Sequence, residues 1–403
     1  MSTREADILI VGGGAAGLMA AIAAAHAGAS VSLVEKGARA GKKILATGNG
    51  RCNLSNSAIE GASASACYNH PDFVAPVLSR YDYSAIRAVF EELGLLLTLD
   101  AKGWAFPRTR VANSVLDVML NELGRLGIDV QVAREAQHVQ LSEQGTFLVA
   151  TPLGPLSSRA LVLTCGVEPL PHILNDLAPK LGQILSPTPV LGPLKTDLAS
   201  VKGLDGVRAV CCARLLKGES LVAEEHGEIL FRRFGISGIA IFNLSRFIQP
   251  GQEISLDFFP EFERGELLSL LTARARSHPR VSAAEFLDGM LHTRLAQALL
   301  RRVGMRGSEP SENIMLDKLA NTAKDYRLAL LDGPDTAQAQ LTRGGLAVEG
   351  FDATTLEARE LPRLFAAGEC LDVDGPCGGF NLHWAWASGF AAGQGAAAAL
   401  RGR

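Results

Sequence analysis

The chain has 403 residues, 47% of them hydrophobic and 20% charged, with a formal net charge of -3. That length exceeds one ordinary hydrophobic core, so more than one domain is expected, and the composition excludes wholesale disorder. The near-neutral charge gives no basic footprint for nucleic acid, so the expected partner is a small molecule, with no nucleic acid and no membrane.

Asp7-Ile8-Leu9-Ile10-Val11 reads as a buried parallel strand. Glycines follow at once, then an Ala-rich helix over Leu18–His26 and a second strand over Ala29–Val34, which together make one βαβ unit. A helix is predicted over Ser114–Leu126, with strands over Ile128–Val132 and Leu161–Cys165. After Gly166, the prolines at 169, 171, 179, 187, 189 and 193 crowd a stretch that suits a linker. Residues 195–260 alternate apolar and polar as an antiparallel sheet does. Residues 263–332 read as helical, with segments at Glu266–Arg276, Ala283–Arg302 and Leu316–Leu331. From Ala339 short strands and glycine turns return, and an Ala-rich helix ends the chain. The first part has too few strands to complete its sheet. Residues 1–190 and 339–403 are therefore read as one α/β domain, interrupted by an insertion at 191–338 that is β-rich over 195–260 and helical over 263–332.

Ile8–Val34 and Gly375–Leu400 carry no Asp, Glu, Lys or Arg and are long enough to cross a bilayer. Both are rich in Gly and Ala, and the second contains Asn381, His383 and Gln394, so a soluble, cytoplasmic protein is expected. The seven cysteines are odd in number and form no C-x-x-C, which predicts neither a disulfide scaffold nor a metal centre. Cys211–Cys212 reads as buried strand filler.

Gly12-Gly13-Gly14-Ala15-Ala16-Gly17 is G-x-G-x-x-G between a strand and a helix. In such a turn Gly12 permits the tight bend, Gly14 lets backbone approach a pyrophosphate, and Gly17 lets helix and strand pack closely. The helix N-terminus adds unpaired N–H groups for the diphosphate. Glu35, ending the second strand, suits two ribose hydroxyls and repels a 2′-phosphate. A polar loop follows, Gly41-Lys42-Lys43 leading to Thr47-Gly48-Asn49-Gly50-Arg51-Cys52-Asn53. It suits an extended FAD, with Lys43 on the pyrophosphate and Asn53 at the flavin edge; the alternative is a surface loop with incidental basic residues. Near the C-terminus, a strand at Leu364–Ala367 ends in Gly368-Glu369, a turn suited to the ribityl chain and pyrophosphate. Asp372, Asp374, Gly378, Gly379 and Asn381 then precede a helix from about Leu382. Its N–H groups suit the flavin pyrimidine, where negative charge gathers on reduction; the alternative is a capped helix packing on the sheet.

Thr47–Asn56 (TGNGRCNLSN), Gly235–Arg246 (GISGIAIFNLSR) and Ala366–Gly389 (AAGECLDVDGPCGGFNLHWAWASG) resemble the signature segments of the BaiN-like family of FAD-dependent oxidoreductases, some labelled aminoacetone oxidases. The resemblance spans essentially the whole chain. It implies a Rossmann-type FAD-binding domain interrupted by an inserted β-barrel plus a small helical domain, and a relation to fumarate reductase and aspartate oxidase flavoproteins. By position it implies FAD contacts at Gly12, Gly14, Ala16, Gly17, Glu35, Lys36, Lys43, Arg51, Asn53, Glu369, Asp374, Gly379 and Asn381. Two departures bear on the substrate side. The Gly/Ser-rich stretch after Cys165-Gly166 is shortened, and His383 stands where the family often has Gln.

The expected activity is an oxidoreductase with non-covalent FAD that reduces a carbonyl or enone, or oxidises an amine, on a small organic substrate. The alternatives are an RNA-modifying flavoprotein and a non-catalytic FAD-binding protein. No second G-x-G-x-x-G is present, so NAD(P)H is expected only as a transient electron donor, docking in a cleft between the FAD domain and the insert. Candidate catalytic residues are Arg51 as a substrate anchor, Cys52 as proton donor or thiolate and His383 as acid/base group, with Cys377 nearby. Each also has a structural reading, as an ion pair, buried filler and a core histidine respectively.

Overall fold

A computed structural model describes residues 6–335 and 337–401. They form two compact units, Met1–Thr188 with Thr342–Arg403, and Pro189–Leu341. The chain is mixed α/β, with a Rossmann-type parallel sheet in the first unit and a closed β-barrel in the second.

In the first unit Ala6–Val11 pairs in parallel with Val31–Val34 on one side and Leu156–Leu163 on the other. Asp129–Gln131 extends this sheet beyond Val31–Val34. The strand Leu364–Ala366 adds beside the end of Leu156–Leu163, in the register Leu364↔Leu161, Phe365↔Val162 and Ala366↔Leu163. The C-terminal segment thus resumes the first sheet. Ile8, Ile10, Leu161, Leu163 and Phe365 have no exposed surface, as strands covered on both faces require.

The first helix is Ala15–His26 and the last is Phe380–Arg401. They pack at backbone contact. A Cβ on Gly389 would stand 2.4 Å from the Ala16 carbonyl oxygen, and one on Gly393 would stand 2.3 Å from that of Ala20. This explains two long charge-free runs of Gly and Ala: small side chains let the helices approach. No helix among the described residues is long and apolar enough to cross a membrane.

In the second unit Leu194–Thr196, Gly235–Ser237, Ser220–Arg232, Arg208–Lys217, Glu253–Asp257 and Tyr326–Asp332 close a barrel in that order. Ile229, Phe231, Ile254, Leu256 and Leu328 fill its core with leucines of the helical segment, including Leu295, Leu299 and Leu319.

Four sequence expectations are corrected here. The helix expected over Leu316–Leu331 ends at Lys324, and Tyr326–Asp332 is the sixth barrel strand. Its Leu/Ala content hid the alternation in which Tyr326 and Leu328 point inward. The segment Ala283–Arg302 is a short turn at Ala283–Glu285 and a helix at Thr293–Arg302, with Gly289 at φ +81 between them. The proline-rich stretch is no linker through most of its length. It folds into short helices at Leu170–Ile173 and Ala178–Leu181, and Leu170, Leu174 and Leu181 sit in the first unit's core. Prolines at the first turns of those helices need no N–H there. Finally, the strand placed at Leu161–Cys165 spans Leu156–Leu163, which leaves Cys165 beyond its end.

Candidate functional site

The three fingerprint glycines answer to different constraints. Gly12 has φ +108, and a Cβ there would stand 2.6 Å from the Thr164 carbonyl oxygen. The Thr164 hydroxyl steadies this turn, lying 3.0 Å from the Val11 carbonyl oxygen and 2.7 Å from that of Gly12. Gly17 lies against the same turn, and a Cβ would stand 1.9 Å from the Gly12 oxygen. Gly14 has ordinary extended backbone, φ -80 and ψ -168, and a Cβ there would meet no protein atom within 4 Å. Nothing in the protein requires glycine at this position. The backbone here is open to a ligand, at the N-terminus of a 12-residue helix with no side-chain cap.

Glu35 borders this turn. Its Oε2 accepts from the Gly13 N–H at 2.8 Å and its Oε1 from the Gly37 N–H at 2.7 Å. Each carboxylate oxygen keeps acceptor capacity, so the group is aimed and still able to take hydroxyl donors. Lys36 lines a cavity of about 350 Å³ together with Glu135, Ala136, Gln137, Glu168 and His172.

The C-terminal segment supplies the facing wall. Gly368, at φ +64, donates its N–H to the Ser388 hydroxyl, and a Cβ on it would stand 2.8 Å from that of Ala16. Glu369 pairs with Lys43 at 3.1 Å, which links the loop after Glu35 to the last strand. That carboxylate beside Lys43 holds its ammonium above the usual lysine range. Gly378 and Gly379 have φ +106 and +99, and a Cβ on Gly379 would stand 2.3 Å from the Ser55 carbonyl oxygen. The helix from Phe380 begins directly after them.

Several expected contact residues have their side chains engaged within the protein. Ala16 is buried against Gly368 and the last helix, so only its backbone faces the turn. The Asp374 carboxylate is fully buried and takes two hydrogen bonds from Arg343. The Asn381 amide bonds both the N–H and the C=O of Gly375 at 2.8 Å, closing the loop. With its amide turned so that oxygen and nitrogen both find partners, Asn53 donates to the carbonyls of Ala105 and Ser55 and accepts from the Gly379 N–H at 3.3 Å. It ties the Thr47–Asn56 segment to the second glycine turn.

The candidate chemical groups fare unequally. Arg51 is exposed, its guanidinium 5.9 Å from the Phe106 ring centre. Cys52 has no exposed surface, and burial pushes its thiol up to about 11, which speaks against the thiolate of the two roles, proton donor or thiolate, suggested by the sequence. His383 is also fully buried. Its Nε2–H donates to the Tyr81 carbonyl at 2.9 Å, and its Nδ1 accepts from the Ser55 hydroxyl at 2.8 Å. Burial pulls it down to about 4. With both nitrogens engaged and no access, it joins three segments of the unit rather than exchanging protons with a substrate. Cys377 is partly buried on the loop before Gly378.

Sequence reasoning missed Arg343 and a second pair, His70 with Asp372. His70 Nε2 lies 3.0 Å from Asp372 Oδ2, and the Gly344 N–H reaches Oδ1 of the same carboxylate at 2.9 Å. The hydrogen bond to Asp372 raises the imidazole above its ordinary value. Burial alone would raise Asp372, but the bonds from His70 and Gly344 hold it lower. A signal existed: Arg343 precedes Gly344-Gly345, both at positive φ, a glycine pair in a strand that marks close backbone approach.

The family described as HI0933-like protein Rossmann domain matches residues 6–395. The chain belongs to this family. Among relatives of this HI0933-like chain is the 3-dehydro-bile acid delta(4,6)-reductase of Clostridium scindens, 34% identical over 96% of this chain and 98% of that protein. Another is the ribosomal RNA dihydrouridine synthase of Escherichia coli, 27% identical over 96% and 97% of the two chains. The fold is similar to that of 3-ketosteroid-delta4-(5alpha)-dehydrogenase from Rhodococcus jostii, with TM-score 0.50, 16% identity, and 98% and 97% of the two chains covered. The HI0933-like chain is therefore an FAD-dependent oxidoreductase, and the BaiN-like signature segments are those of this family. The open backbone at Gly14 and the poised Glu35 fit such a dinucleotide.

Proposed function

We propose that the chain reduces a carbon–carbon double bond conjugated to a carbonyl in a small, largely apolar organic molecule, with NAD(P)H as transient electron donor. The observation that carries this reading is the end-to-end likeness to the Clostridium scindens delta(4,6)-reductase. When bound, FAD supplies the two-electron chemistry. The residues that would hold it are the backbone of Gly12–Gly17 for the diphosphate, Glu35 for the ribose, and Gly368-Glu369 with Lys43 further along. The N-terminus of the helix Phe380–Arg401 would favour negative charge on the reduced ring. Arg343 and Asn381, through Asp374 and Gly375, hold the loop that precedes that helix.

A second reading, reduction of uridine in ribosomal RNA, is favoured by the names of two relatives at 27% and 26% identity. Dihydrouridine formation is also reduction of a double bond conjugated to a carbonyl. Against RNA as substrate, basic and acidic residues balance over Pro189–Leu341, whereas phosphate binding calls for a net basic surface.

The test is anaerobic. The purified flavoprotein should bleach with NADH or NADPH and recover its colour on addition of a steroid dienone. Bleaching by amines with no response to either nicotinamide would replace this reading with amine oxidation. Dihydrouridine formed in ribosomal RNA, with no turnover of enones, would replace it with the RNA reading.

A further inference from the structure

The barrel carries a cluster that flavin chemistry does not use. In the antiparallel register of its long hairpin, Cys212 stands directly opposite His226, and Glu224 lies two residues before His226 on the same face. One ligand atom from each of Cys212, Glu224 and His226 falls within 4.8 Å of the others. We propose that these three side chains form a binding site for a divalent zinc-class cation on the outer face of the barrel.

The donor set is one thiolate, one imidazole and one carboxylate oxygen. That mixture suits zinc and its borderline neighbours, whereas magnesium and calcium take oxygen shells. Geometry divides the Glu224 carboxylate into two functions. Its Oε2 accepts from Arg214 Nε at 2.7 Å, while its Oε1 faces His226 Nε2 at 3.3 Å. Arg214 therefore orients the carboxylate from behind and leaves the oxygen beside the imidazole for the metal, as outer-shell partners of metal ligands do. Arg214 is itself shared, its Nη2 lying 3.8 Å from Asp257 Oδ2, which also pairs with Lys324 at 2.7 Å. The guanidinium is thus tied to both Glu224 and Asp257.

Cys212 differs from its neighbour Cys211, which points into the barrel core. Both are buried, but only Cys212 shares a face with polar ligands. Binding proceeds with loss of the thiol proton to solvent, forming a sulfur–metal bond, while His226 binds as neutral imidazole. A fourth position is left for water. The cation would join two strands of a hairpin whose second strand runs for 13 residues, Ser220–Arg232.

The experiment is titration of zinc chloride into chelator-treated, FAD-loaded full-length protein by calorimetry, with metal content after dialysis measured in parallel. Wild type should take up a single equivalent. His226→Ala and Glu224→Gln, both at exposed positions, should each weaken uptake about tenfold or more. Cys212→Ala should abolish tight binding if that variant folds, and Cys67→Ala should leave it unchanged. No uptake by folded wild type, or uptake of equal affinity in His226→Ala and Glu224→Gln, overturns the site.

Discussion

Arg343 binds both oxygens of Asp374, at 2.6 Å and 3.0 Å, and the carboxylate so held has no exposed surface. The Asp374 backbone N–H meanwhile donates to the Asn69 side chain at 2.8 Å. The loop before the last helix is thereby anchored to the strand Leu341–Leu346 and to the segment before Pro71. A charge so deeply placed depends on its partner. Arg343→Ala should destabilise the protein by about 3 kcal/mol, because it leaves a buried carboxylate without its main cation. Urea denaturation measures this; a loss within experimental error of zero would contradict the role of Arg343 as the main partner of Asp374.

His383 gives the stability a pH signature. Its folded-state value is depressed from 6.5 to about 4 by burial. The unfolded chain therefore takes up a proton at this residue first as pH falls. The contribution is intact above about pH 6.5 and is lost progressively down to about pH 4, amounting to about 3 kcal/mol over that window. His383→Gln can keep a donor towards the Tyr81 carbonyl and an acceptor for the Ser55 hydroxyl without titrating. Its unfolding free energy should fall less steeply than that of wild type across this window. Parallel slopes for the two proteins would contradict the assignment of His383 as a buried neutral group.

Much of this was legible in the sequence, and what was not has physical causes. The strand–turn–helix at Ile8–His26 announces itself because its period, glycine spacing and following acid are all local. The return of the sheet at Leu364–Ala366 was readable from the missing strands. Contacts between distant segments were not. Nothing local tells that His383 meets Ser55 and Tyr81, or that the Asn53 amide can be turned to bond Gly379, so these ties within the unit were not readable from the sequence. The strand Tyr326–Asp332 misled because its Leu and Ala residues favour helix, and only closure of the barrel makes it a strand. The prolines after Gly166 misled because three of them sit where helices begin and cost nothing there.

Glu35 tests the ribose end of the site. Its two oxygens already accept from Gly13 and Gly37, and hydroxyl donors would complete them. Glu35→Ala should weaken FAD binding by about 1–3 kcal/mol, the range for hydrogen bonds to a charged group. Quenching of FAD fluorescence on titration reads this directly; unaltered affinity would place the ribose elsewhere.

Gly14 offers the most direct measurement. No protein atom lies within 4 Å of where its Cβ would be, and its φ of -80 suits any residue. Gly14→Val should therefore fold and melt as FAD-free wild type does, yet purify without flavin absorbance and take up no FAD when it is supplied. A yellow Gly14→Val protein with a full equivalent of FAD at wild-type affinity would contradict the assignment of this helix N-terminus as the diphosphate cradle.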